Sequence, residues 1–258
     1  MSQTRRIMLI VSYDGTAYSG WALQETTPDT IEGRLNEAIF RLTGEKTEVI
    51  GASRTDAGVH AYGNVAVFDT DSTIPGDRFM FALNHELPQD IRITSSRQVA
   101  REFHPRHCST EKTYEYRILN TQICDPTRRM YTCHFSMPLD VDIMNEAASY
   151  LVGEHDFTSF CNAQSQALTH VRTVKDVHVR REGDEVIISV TGNGFLYNMV
   201  RIIAGTLMQI GRGKGGPAEM KTILEKKNRA AAGPTAPPEG LFLIKYEFLD
   251  GIPEPEQE

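Results

Sequence analysis

Between residues 5 and 99 the chain sets down apolar runs whose period switches from two to 3.6 and back, in one fixed order. Ile7, Leu9 and Val11 alternate with Met8 and Ile10, so both faces of the first run are apolar. That suits a central strand covered on both sides. Thr30 then precedes Ile31, Leu35, Ala38, Ile39 and Leu42 on one helical face, stopped at Gly44. Two strand-like runs follow, Thr47-Glu48-Val49-Ile50 and Asn64-Val65-Ala66-Val67-Phe68. A short helix over Phe79 to Asn84 ends before Pro88, and another strand covers Ile91 to Val99. Strand, helix, strand, strand, helix, strand is the ferredoxin-like order.

The second half reads as a variation on the first. Lys112 to Leu119 is a strand with an aromatic and aliphatic face, and Asp142 to Leu151 an amphipathic helix closed by Gly153. Val171 to Arg180 and Glu185 to Thr191 flank a Gly183-Asp184 turn, which signals a hairpin. Gly194 to Ile210 reads as a long apolar helix, Pro217 to Lys227 as another with proline at its start, and Leu241 to Phe248 as a closing strand. The polar stretch Arg101 to Ser109, with Pro105 inside it, divides the halves. The pattern predicts an α+β fold of two subdomains: 1–104, 105–250, and an acidic tail at 251–258.

With 258 residues, 40% of them hydrophobic and 24% charged, the chain can bury a substantial core. Cys108, Cys124, Cys133 and Cys161 show neither Cys-x-x-Cys spacing nor a disulfide framework, and are expected as reduced thiols. The N-terminus, Met1 to Arg6, leads into an apolar run too short for a signal segment, and nothing approaches the roughly 20 apolar residues of a membrane span. The expected setting is the cytoplasm, away from membranes. The net charge of −7 weighs against a polyanionic partner unless the basic residues gather in one place. Candidates are Arg97, Arg101, Arg106, His107 and Lys112; Arg128 and Arg129; and Arg212 and Lys214. A basic cleft on an acidic body would reconcile the two.

The segment Gly51-Ala52-Ser53-Arg54-Thr55-Asp56-Ala57-Gly58-Val59-His60 lies between the two central strand runs. Asp56 is therefore expected on a tight loop at a strand end, where side chains reach into clefts. Arg54, two residues away, is near enough to hold that carboxylate ionised. Asp and Gly in a loop also serve as plain turn chemistry. Arg54-Thr55-Asp56-Ala57-Gly58-Val59-His60 closely resembles the signature of the tRNA pseudouridine synthase A family, whose catalytic aspartate maps to Asp56.

Four further pieces resemble that family, in order along the chain. They are Tyr13-Asp14-Gly15-Thr16 with Gly20-Trp21, Lys112-Thr113-Tyr114, Gly194-Phe195-Leu196-Tyr197-Asn198-Met199-Val200-Arg201, and Ala236-Pro237-Pro238-Glu239-Gly240-Leu241. The resemblance maps an active-site tyrosine to Tyr114, a second arginine to Arg201, and a leucine that packs on the target base to Leu241. The family continues Gly-Trp with glutamine, whereas Ala22 stands here, so no RNA contact is carried over to that loop. Read without the family, Tyr114 or Tyr116 is a core aromatic with a bonded hydroxyl. On the same footing Arg201 is as well suited to an ordinary salt bridge, Leu241 is a core residue, and His60 serves to bond its loop. His155, Asp156 and His170 lack metal-ligand spacing, and no metal is expected.

The resemblance implies two ferredoxin-like subdomains whose antiparallel sheets join into one mixed sheet with a central cleft. It also implies a homodimer acting on tRNA rather than DNA. The implied activity is an isomerase, converting uridine to pseudouridine at positions 38, 39 and 40 of the anticodon arm, with no cofactor. Asp56 would act as nucleophile, with Arg54, Tyr114, Arg201 and Leu241 binding substrate. Two rivals stand beside it. One is a non-catalytic RNA-binding protein of the same fold. The other is a hydrolase using Asp56 with His60 or His104, which lacks a Gly-x-Ser-x-Gly elbow.

Overall fold

The computed structural model describes residues 4–25, 27 and 29–255; the first three residues and the last three of the acidic tail, on which two of the sequence readings bear, lie outside it. The chain forms two compact units, one comprising residues 1–110 and 243–258, the other residues 111–242. Both are α+β.

The first unit holds β1 (Arg5–Tyr13), α1 (Ile31–Thr43), β2 (Ile50–Gly51), β3 (His60–Thr70), α2 (Phe79–Glu86) and β4 (Ile91–Val99). Strand β1 is central and antiparallel to both neighbours: Ile7 faces Phe68 of β3, and Met8 faces Arg97 of β4. β2 pairs with β3 at Ile50–Val67 and Gly51–Ala66, which completes the ferredoxin-like order β4-β1-β3-β2. Helix α1 forms where the pattern puts it. Thr30 Oγ1 accepts the Gly33 N–H at 3.1 Å, and Gly44, at φ 77°, closes the helix by donating to Phe40 O at 2.8 Å. Ile31, Leu35, Ala38 and Ile39 are buried, and Phe68 meets Phe79 of α2 edge-on at 5.3 Å.

Both faces of β1 are covered, as its sequence requires, but by different means. Helices carry one face. On the other, Met8, Val65, Val67, Val99 and Phe103 form a buried cluster against Tyr246, Phe248 and Ile252 from the end of the chain. Three expectations for this unit shift. The strand expected over Thr47–Ile50 shrinks to Ile50–Gly51, and the Val49 N–H donates to Asn36 Oδ1 of α1 at 2.9 Å, outside the ladder. β3 starts earlier, at His60, and α2 runs two residues further, to Glu86.

The second unit holds β5 (Thr110–Leu119), β6 (Cys133–His134), α3 (Val141–Ser149), β7 (Gly153–Asp156), β8 (Val171–Glu182), β9 (Glu185–Gly192), α4 (Met199–Gly211) and α5 (Glu219–Lys226). Its strands run β5-β9-β8-β7, all antiparallel, with the short β6 parallel to β5. The last strand, β10 (Leu241–Phe248), starts in this unit and continues in the first. Asp140 caps α3 through the N–H groups of Asp142 and Ile143. Gly153, at φ 116°, opens β7 and does not close α3. α4 is buried almost all round, so it is a core helix. It starts at Met199, five residues later than the apolar run suggests, because residues 194–198 turn before it. α5 likewise starts two residues after Pro217. Among the described residues no helix is long and apolar enough to cross a membrane.

Candidate active site

Asp56 sits half-buried on the loop between β2 and β3, and that loop is fixed by backbone bonds on both sides of it. The Trp21 N–H donates to Thr55 O at 3.0 Å, the Gly58 N–H to Tyr18 O at 3.2 Å, and the Val59 N–H to Asp56 O at 3.2 Å. The Gly20–Trp21 segment that grips Thr55 can approach only because Gly20 has no side chain. Its φ is 97°, and a Cβ there would lie 2.7 Å from Thr55 O. Trp21 itself is fully buried, 5.8 Å from the Tyr13 ring.

Beneath the loop runs a buried polar chain. The Tyr13 hydroxyl shares a 2.8 Å hydrogen bond with Thr55 Oγ1. Asn64 Nδ2 donates to Ser53 O at 2.9 Å and to the Tyr13 hydroxyl at 3.4 Å, while Asn64 Oδ1 accepts the Ser53 N–H at 3.3 Å. Asn64 is wholly buried on β3, and its four-atom amide ties both flanks of the loop. Burial pushes the Tyr13 phenol well above the usual tyrosine range, so it stays neutral. His60, also buried, accepts the Gly15 N–H at 3.1 Å through Nδ1, which lies 3.1 Å from Asp14 Oδ1.

Arg54 is exposed beside Asp56. Its neighbour in charge is Arg106, whose Nε donates to Gly51 O at 2.7 Å at the loop's entry. Burial first, then the positive charge of Arg54, holds the Arg106 pKa below its usual value. His104 and His107 stack at 4.0 Å, and burial, then His107, Arg106 and Arg6, lower the His104 pKa. Of the basic residues singled out from sequence, Arg106 thus stands near the Asp56 loop. Arg97 instead pairs with Glu254 at 2.8 Å, and Arg128 with Glu185 at 3.1 Å.

Tyr114, Arg201 and Leu241 lie in the second unit. Tyr114 is buried on β5, edge-on to Phe195 at 5.2 Å. Tyr116, two residues on, is the core aromatic with a bonded hydroxyl, which donates to Pro237 O at 2.8 Å. Arg201 is half-buried on the first turn of α4. Its Nε donates to Ala236 O at 2.8 Å and its Nη1 to Asn198 Oδ1 at 3.0 Å, while its own carbonyl accepts the Ala236 N–H at 3.1 Å. Gly205, one turn further along α4, lets the segment 233–236 lie flat on the helix: a Cβ there would lie 1.9 Å from Pro234 O. Arg229 braces it from the other side, donating to Gly233 O at 2.9 Å and Thr235 Oγ1 at 3.1 Å. Leu241 follows at the start of β10, 6% exposed.

Asp56 and Arg54 therefore share one loop of the first unit, and the other three candidates lie in the second. Sequence reasoning missed Tyr13, Asn64 and Asn198 as supports. Asn64 left a signal, a lone amide opening the apolar run Asn64 to Phe68 next to the loop.

The family described as tRNA pseudouridine synthase matches residues 9–127 and 147–248, which hold every residue of both groups. A tRNA pseudouridine synthase A of Acetivibrio thermocellus is 49% identical over 244 residues, covering 95% of this chain and all of the relative. One from Brevibacillus brevis is 49% identical over 246 residues, with 95% of this chain and all of the relative covered. One from Halalkalibacterium halodurans is 46% identical over 248 residues, 96% of this chain and 94% of the relative. With the signature loop, the Tyr114 strand and the Arg201 helix all inside the matched stretches, the chain belongs to the tRNA pseudouridine synthase family.

Proposed function

We propose that this protein isomerises uridine to pseudouridine in tRNA, with Asp56 as the catalytic residue. The observation that carries this reading is the Asp56 loop itself. A carboxylate stands half-buried on backbone anchored at Thr55, Gly58 and Val59, within the family's signature. Such anchoring holds a reacting group in place without reorganisation.

The reaction balances without an external oxidant or phosphoryl donor. The bond between ribose C1′ and uracil N1 breaks, the base turns, and C1′ bonds to C5. The C5 proton leaves to solvent and N1 takes one up. Asp56 acts as a nucleophile: its carboxylate bonds to C1′ as N1 departs with the electron pair, and that ester bond breaks, returning the carboxylate, when C5 bonds to C1′. Arg54, on the same loop, supplies positive charge that keeps a half-buried carboxylate ionised, and Arg201 binds the substrate. Tyr114 stacks on the base and relays a proton late in the reaction, and Leu241 forms an apolar wall. The target uridine must leave its stack, at about a few kcal/mol, and Arg54 occupies the gap. Arg54 and Arg106 give the RNA backbone a positive surface beside the loop.

We further propose that the targets are positions 38, 39 and 40 in the anticodon arm, that the enzyme works in the cytoplasm, and that it is a homodimer. Mapping modified sites in tRNA from a strain with and without the gene tests the first. Sedimentation of the purified protein tests the last.

The deciding experiment incubates the protein with tRNA tritiated at uridine C5, with no added cofactor. Wild type is expected to release tritium to water. Asp56→Asn is expected to release none while binding tRNA within a few-fold of wild type. Tritium release by Asp56→Asn would remove Asp56 from the chemistry. Binding without release by wild type would favour the non-catalytic RNA-binding protein, and free uracil the hydrolase.

A further inference from the structure

Helix α4 begins on a residue in an unusual conformation. Asn198 has φ 62° and ψ 9°, the left-handed region, and among the described residues only Lys227 shares a positive φ without being glycine. Glycine adopts this backbone with less strain, so the asparagine side chain has some other use. It does not cap the helix, since its oxygen takes no N–H of the first turn. Its Oδ1 instead accepts Nη1 of Arg201 at 3.0 Å. Arginine only donates, so the amide oxygen must be the partner.

The guanidinium is thereby held on two different edges, Nη1 by Asn198 and Nε by Ala236 O at 2.8 Å. One bond would leave the planar group free to swing about that contact. Two bonds on separate edges fix both its depth and its rotation. The Ala236 bond is itself rigid, because Ala236 also donates its N–H to Arg201 O and lies on the segment braced by Gly205 and Arg229.

We propose that Asn198 is a positioning residue for the isomerisation, setting the angle at which Arg201 addresses the reacting nucleotide. It does not touch substrate; it acts through Arg201. The inference rests on the placement of Arg201 in the active site.

Asn198→Gly provides the test, because glycine keeps the left-handed backbone and removes only the side-chain bond. Single-turnover tritium release, tRNA affinity and thermal melting are measured on the full-length enzyme for N198G, N198D and R201A. N198G is expected to melt no lower than wild type and to bind tRNA within threefold. Its turnover rate is expected to fall at least tenfold. N198D, which keeps an acceptor oxygen and tolerates this backbone, is expected to recover most of that loss. Wild-type turnover by N198G, a loss confined to KM, or N198D no better than N198G would overturn the proposal. Full turnover by R201A would instead show that the placement of Arg201 fails, and the inference with it.

Discussion

Asn64 ties the entry of the Asp56 loop to the strand that follows it. Its amide holds Ser53 by both backbone groups and reaches the Tyr13 hydroxyl. Asn64→Ala would leave several buried polar groups unpaired, each worth about 1–3 kcal/mol. The expected result is a denaturation midpoint several degrees lower and tritium release reduced with it. An Asn64→Ala protein as stable as wild type would show that the loop is held elsewhere. His104 gives a second prediction at this scale. Its Nδ1 accepts the Arg106 N–H at 3.3 Å, which requires the neutral ring, and its pKa lies below the usual 6.5. The unfolded chain therefore takes up this proton first as pH falls. Stability contributed by neutral His104 is present above the unfolded pKa of about 6.5 and declines as pH drops below it. Urea midpoints between pH 7.5 and 5 should fall less steeply in His104→Gln than in wild type.

Elements differ in how far the sequence shows them. α1 was legible because both of its ends are chemical: Thr30 caps one and Gly44 closes the other. Thr30→Ala should cost about 1 kcal/mol, seen as a lower melting temperature with tritium release unchanged. The start of α4 was not legible, because Phe195, Leu196 and Tyr197 continue the apolar run straight through the turn. Only the backbone of Asn198 marks the break, and a dihedral angle leaves no trace in hydrophobic periodicity. β6 and β7 were missed as strands of two and four residues, too short for alternation to register. The candidate residues themselves were legible from the family signature. Their supports were not, since Tyr13 meets Thr55 and Asn64 through strand register across more than forty positions. Gly205→Ala tests the α4 platform. Its Cβ would push Pro234 away and with it the Ala236 anchor of Arg201. Overpacking of this kind costs about 1–3 kcal/mol or more, so both melting temperature and turnover should fall. A Gly205→Ala enzyme with normal turnover would disconnect the platform from the chemistry.

At the scale of the whole molecule, the first unit is built from both ends of the chain. The face of β1 without helices relies on Tyr246, Phe248 and Ile252, and the tail is tied down by the bond from the Ala100 N–H to Pro253 O at 3.1 Å. Removing residues 249–258 should therefore make the first unit the preferred site of protease cleavage, leaving residues 111–242 comparatively resistant. Equal resistance in both units would show that the tail is dispensable.

This arrangement bears on the order in which a ribosome can finish the protein. Residues 111–242 are contiguous and can collapse as soon as they emerge, and nascent domains generally fold as they are made. The unit bearing Asp56 is synthesised first but lacks residues 243–248 until nearly everything else has been translated. Until then Met8, Val65 and Val67 face solvent, an apolar surface exposed for the length of an entire intervening unit. Asp56 is made early, and its sheet is among the last structures completed.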